Sequence, residues 1–118
     1  MRRSLTRDDR LRRNRDIREL FSTAPRIEGR GVKLLFKSNG GGPNRFAVVV
    51  ARGCGGAVRR NREKRITREA YRSLKETISP GHDLVFLVVR FGATFTDRLG
   101  ALRQLIGRAG LRDTRHTP

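Results

Sequence analysis

Apolar positions recur along this chain in two rhythms. Between Leu11 and Phe21 the row Leu11, Asn14, Ile17, Leu20 and Phe21 recurs at helical spacing, with Arg12, Arg13, Arg15 and Arg18 in the other positions. That spacing predicts an amphipathic helix, which Thr23-Ala24-Pro25 ends. Val32–Lys37 and Arg45–Ala51 read as strands, the second rich in β-branched residues. The turn Asn39-Gly40-Gly41-Gly42-Pro43-Asn44 between them predicts a hairpin. Gly53-Cys54-Gly55-Gly56 breaks the second strand, and a long helix is predicted from Ala57 to Thr77, stopped by Ser79-Pro80-Gly81. Asp83–Arg90 carries a nearly continuous apolar run, the pattern of a central strand buried on both faces. Thr96-Asp97 is placed to cap a last helix with the core stripe Leu99, Leu102, Leu105, Ile106 and Ala109. Residues 1–10 and 112–118 are polar and read as flexible arms of a single domain spanning 1–118. Helices alternate with strands, but a turn joins the first two strands. This predicts the α+β class, a small mixed sheet covered by helices.

Charge narrows the function. The 118 residues suffice for one core. Lys and Arg number 28 against 11 Asp and Glu, a net charge of +17. Such a surface repels itself unless a polyanion neutralises it. Lysine occurs only at Lys33, Lys37, Lys64 and Lys75; the other cations are arginines, which suit phosphate forks and base stacking. Nucleic acid is therefore the leading partner. No apolar run approaches the roughly 20 residues of a membrane span, so no membrane partner is expected. The single Cys54 excludes an internal disulfide framework and a cysteine-based zinc site, and nothing calls for an obligate protein partner. No apolar stretch follows Met1-Arg2-Arg3, so the expected location is the cytoplasm.

The richest segment is Ala57 to Glu69. At about 100° per residue, Arg60, Asn61, Lys64, Arg65 and Arg68 fall within an arc of roughly 140°. Val58, Ile66, Ala70 and Leu74 fall opposite, so one face is predicted to pack on the sheet and the other to form a cationic ridge. Cations at i, i+4 and i+8 step about 6 Å along the axis, comparable to the phosphate repeat of an extended strand. Asn61 can read a base edge or a sugar hydroxyl. Arg52, Arg59 and Arg62 flank the ridge, and the glycines before it leave the first helix amides open to an anion. Tyr71 lies beside the basic arc, where it can stack on RNA or cover the ridge's edge. His82 and His116 are too isolated to form an acid–base pair.

These residues resemble the bacterial ribonuclease P protein family. The family pattern is a strand ending in Val-Ser-Lys-Lys, a glycine-containing turn, Ala-Val, and Arg-Asn-Arg-x-Lys-Arg-x-x-Arg-Glu on a helix. Here Val50-Ala51-Arg52-Gly53 leads to Gly55, Ala57-Val58, Arg60-Asn61-Arg62-Glu63-Lys64-Arg65 and Arg68-Glu69. The element order agrees from about Leu5 to Leu111. The resemblance implies a single-domain α/β sandwich, a small mixed four-stranded sheet with three helices and a left-handed βαβ crossover, an exception to the usual handedness. It also implies a non-catalytic subunit that assists a catalytic RNA in removing the 5′ leader of precursor tRNA. The RNA would hold the Mg²⁺ ions and perform the hydrolysis, and the protein would bind no cofactor. Arg52, Arg59, Arg60, Asn61, Arg62, Lys64, Arg65 and Arg68 would contact RNA. A cleft between the first helix and the sheet would take the single-stranded leader, lined by Ile17, Phe21 and, since alternation turns only one of them to that side, either Leu35 or Phe36. The family usually has an aromatic where Ile17 stands, and Ile offers no ring for a base to stack on. Gly53 and Gly56 replace a common Lys and Asn. Two other readings compete. A ribosomal or ribosome-assembly protein would explain the same charge and size. An autonomous nuclease would need His82 and nearby carboxylates.

Overall fold

The structure is a computed structural model that describes residues 10, 11 and 14–113. The expected arms at residues 1–9 and 114–118, and Arg12 and Arg13, lie outside the described residues. The elements run α1 (Asn14–Thr23), β1 (Arg26–Glu28), β2 (Val32–Ser38), β3 (Arg45–Val50), α2 (Ala57–Leu74), a 3₁₀ turn (Lys75–Thr77), β4 (His82–Val88) and α3 (Phe95–Arg108). One mixed sheet has the order β1-β2-β4-β3. β4 runs antiparallel to β2 and parallel to β3, so β3–α2–β4 is a βαβ unit.

The order overturns one expectation. β2 and β3 do not pair with each other, because β4 lies between them. β4 is the most buried strand, and only the centre of the sheet covers both its faces and both its edges. The turn at residues 39–44 instead docks on the start of β4. Asn39 N–H donates to the Gly81 carbonyl at 2.8 Å, and His82 N–H donates to Asn44 Oδ1 at 2.8 Å. The hairpin is made by β1, which pairs antiparallel with β2 and is too short, at three residues, to show alternation.

Alternation divides the sheet's residues between two cores. On one face Val32, Leu34, Phe46, Leu84 and Phe86 pack against Ala70, Tyr71 and Leu74 of α2 and Leu102, Leu105 and Ile106 of α3. Tyr71 is buried there, stacked on Phe46 with ring centroids 4.1 Å apart, so it is a core residue and not an RNA platform. On the other face Leu35 and Val85 pack under Leu11 and Leu20, with α1 lying over them. Cys54 fills a third, small cluster with Val50 and Val88. Thr94, not Thr96 or Asp97, caps α3, its hydroxyl accepting from Asp97 N–H at 3.1 Å. Three residues assigned to the arms are tied to the fold. Arg10 bridges Phe46, Arg112 bridges Ile78, and Asp113 N–H donates to the Thr77 carbonyl at 2.7 Å.

Candidate nucleic-acid interface

The loop before α2 turns on Gly53 and Gly55, with φ of +93° and +113°. Only glycine adopts such angles without strain. Gly56 opens the helix with no side-chain cap, and the first turn, Ala57 to Arg59, is exposed. Arg52 and Arg59 are exposed at this end.

The face of α2 that packs inward differs from the expected one. Val58 is 85% exposed, and the buried positions are Glu63, Thr67, Ala70, Tyr71 and Leu74. The buried stripe is thus rotated toward the ridge, because Glu63 turns inward to meet α3. Its Oε1 accepts from Arg98 at 2.9 Å, and its Oε2 accepts from Gly92 N–H at 2.7 Å and from Arg62 at 3.4 Å. Arg98 is buried, and desolvation lowers its pKa, with the Glu63 charge opposing that shift.

The rotation sorts the ridge residues. Asn61 and Arg65 are exposed and Lys64 is half-buried; none has a hydrogen-bond or ion-pair partner among the described residues. Arg60 lies at the inner edge, its guanidinium donating to the Val50 and Ala51 carbonyls at 3.1 and 3.4 Å, where it ties off the end of β3. Arg62 lies off the arc, bound to Glu63 and to the Ala93 carbonyl at 3.3 Å. Glu69 pairs with Arg72 one turn on, leaving the free arc unneutralised.

Arg68 stands in the same helical row and is half-buried. It helps line a groove of about 290 Å³ with Arg10, Leu11, Ile17, Phe46, Ala47 and Val48, between α1 and the β3 edge. Burial, then the charge of Arg10, lowers its pKa. Leu11 N–H donates to the Phe46 carbonyl at 2.6 Å, closing one end of that edge.

The four candidate cleft residues separate. Ile17 lines this groove. Phe21 is half-buried in the same apolar cluster, and Leu35 is fully buried beneath α1. Phe36 points to the opposite face and packs with the α2–α3 core, as strand alternation requires of a residue next to Leu35. The groove's other walls, Arg10, Leu11, Ala47 and Val48, were not singled out in the sequence. Ala47, a small residue at the start of a β-branched run, was the one available sign.

Carboxylates among the described residues are largely engaged. Asp83 takes a two-point contact from Arg45, at 3.0 and 2.8 Å, which raises the Arg45 pKa. His82 Nδ1 lies 3.1 Å from the Ser79 carbonyl. The His82 backbone and the Asp83 carboxylate hold the turn at residues 39–44 through Asn44 and Asn39.

Comparison with known proteins agrees with this geometry. The profile of the family described as Ribonuclease P matches residues 5–110. The ribonuclease P protein component of Thermotoga petrophila is 39% identical over 84 residues, covering 71% of this chain and 72% of that protein. The Clostridium botulinum (strain Langeland) protein component is 31% identical over 108 residues, covering 89% of this chain and 97% of its own. The solved RNase P protein of Thermotoga maritima superposes with a TM-score of 0.75 at 32% identity, over 84% of this chain and 96% of that one. The Staphylococcus aureus RNase P protein shares the fold with a TM-score of 0.77 at 21% identity, over 89% of this chain and 98% of its own. The chain belongs to the ribonuclease P protein family.

Proposed function

We propose that this protein is the RNA-binding, non-catalytic subunit of ribonuclease P. It docks on a catalytic RNA along the free arc of α2 and holds the 5′ leader of precursor tRNA in the groove beside α1. In this reading the RNA carries the Mg²⁺ ions and the hydrolysis, and the holoenzyme works in the cytoplasm. Among the described residues, no helix is long and apolar enough to cross a membrane.

The observation that carries the reading is that Arg68 belongs to both surfaces. It continues the helical row of Asn61, Lys64 and Arg65, and it also forms a wall of the α1 groove. A polynucleotide on the row and a single strand in the groove would therefore meet at one guanidinium. The groove floor of Ile17, Ala47 and Val48 is apolar and suits the flat face of a base, with arginines at its rim for phosphates. The ribosomal reading has no support from the family match.

The test is reconstitution. Precursor tRNA is incubated with a bacterial ribonuclease P RNA at low Mg²⁺, with and without this protein. Leader removal that requires both components is the expected result. Cleavage unaffected by the protein, or cleavage by the protein freed of RNA, would overturn the assignment.

A further inference from the structure

A second gathering of cations lies at the end of the sheet where β4 finishes. Val89 and Arg90 N–H groups both donate to the Gly31 carbonyl, at 2.9 and 3.2 Å. Gly31 has φ +78°, and a Cβ there would stand 3.2 Å from the Arg90 Cβ. The β1–β2 turn and the segment after β4 therefore touch where a side chain would be crowded and its backbone strained. The contact brings Arg30 and Arg90 to the rim of one groove of about 500 Å³, which runs on to the first turn of α3. Both arginines are exposed, and neither has an acidic partner among the described residues.

Arg98 completes the groove's lining and is only 2% exposed. One of its Nη atoms donates to Glu63 and, at 3.4 Å, to the Arg90 carbonyl. Its Nε and other Nη are buried with no hydrogen-bond partner. Unanswered donors on a buried guanidinium are costly, and three guanidiniums here face one lining carboxylate, Asp97. A phosphate offers several acceptor oxygens to such forks.

We propose that this groove is a phosphate site that receives a backbone phosphate of the RNA partner, separate from the α2 arc. The proposal rests on the RNA-binding reading above. RNA is favoured over a small anion by continuity. Arg62 reaches from α2 to the Ala93 carbonyl in the groove wall, and Glu63 binds Gly92 N–H beside it. β3 and β4 are parallel, so the first turn of α2 and this groove both follow strand C-terminal ends. The exposed first turn of α2 and the groove thus lie at the same end of the sheet.

The experiment uses the full chain carrying Arg30→Ala and Arg90→Ala, two exposed positions. A bacterial ribonuclease P RNA is titrated at several KCl concentrations, with Lys64→Ala/Arg65→Ala as the comparison. The groove variant is expected to weaken binding about tenfold and to flatten the log–log salt slope by about one to two units, with unchanged melting. Arg30→Lys/Arg90→Lys keeps most of the slope while losing part of the affinity, since charge remains and the fork is gone. If the alanine variant melts early, the lysine pair decides: weakened binding with normal melting supports the site, and wild-type binding overturns it. Wild-type binding by the groove variant, with loss in the α2 variant, overturns the groove and leaves the α2 reading standing. Loss in the groove variant alone supports the groove and refutes the α2 arc. No effect of either overturns both. Inorganic phosphate raising the melting point of wild type above that of the groove variant, with RNA binding unchanged between them, marks a small-anion site and overturns the RNA assignment.

Discussion

On one side of α2, Asn61, Lys64 and Arg65 meet solvent with no partner among the described residues. On the other, Arg62 and Glu63 join Arg98 and the Gly92–Ala93 backbone in a polar seam between α2 and α3. The same short stretch supplies both. Arginine is a surface residue or an internal strut according to whether a carboxylate or a chain of carbonyls lies within its reach. What separates the two sides is Glu63, which draws its neighbours inward and leaves the arc opposite without an acidic group. The free charge of the arc is thus partly a consequence of where the acid went.

Removing that acid is the strongest way to break the contrast. Glu63→Ala leaves Arg98 buried and unpaired and is expected to cost about 3–5 kcal/mol in denaturant unfolding. Replacing both, as Glu63→Leu/Arg98→Met, should regain most of the loss, because neither partner then leaves a buried charge alone. A wild-type unfolding midpoint for Glu63→Ala would show that the seam does not hold α2 against α3.

The next variants sharpen the contrast between bound and free cations on one helix. Lys64→Ala/Arg65→Ala should flatten the salt dependence of RNA binding by about one unit per cation and leave stability within about 0.5 kcal/mol. Arg60→Ala should do the reverse. It loses the hydrogen bonds to Val50 and Ala51 and is expected to destabilise by about 1–1.5 kcal/mol, with the smaller change in slope. If Arg60→Ala altered the slope as much as Arg65→Ala, the distinction drawn from the geometry would be wrong.

Much of this was legible in the chain because it depends on local periodicity. The apolar run at 84–89 places β4 at the centre, and the Arg60–Arg68 spacing puts the cations largely on one side. The family resemblance carried the fold further than periodicity could. The differences have local and distant causes. Val58 looks like a core residue only by its apolar side chain; at about 100° per residue it stands about 20° from Arg65, beside the cationic arc, and it is exposed. The inward turn of Glu63 has no local sign, because its buried partner Arg98 lies 35 residues on. The β2–β3 pairing looked local until β4 took the place between them. Alternation gives the cleft face to only one of Leu35 and Phe36, and the register that decides for Leu35 is set by the pairing with β4.

The smallest effect concerns an ion pair outside the seam. Glu19 on α1 meets Lys37 on β2 at 2.7 Å, and both remain substantially open to solvent. The hydrogen bond from Lys37, and then its charge, lowers the Glu19 pKa below 4.5. The same bond raises the Lys37 pKa above 10.5. A depressed carboxylate adds stability above its unfolded pKa and loses it as pH falls through the folded value. A raised amine adds stability below its unfolded pKa and loses it as pH climbs through the folded value. The pair therefore helps to pin α1 to the sheet between those limits and weakens on either side. Solvent screening keeps the contribution far below that of the buried Glu63–Arg98 pair. Lys37→Met should return the Glu19 titration midpoint, followed by carboxyl NMR shifts, toward 4.5 while the unfolding midpoint at neutral pH barely moves. An unmoved Glu19 midpoint would mean the contact does not persist in solution. A large loss of stability would mean that a solvent-exposed bridge can match a buried one, against the division seen across α2.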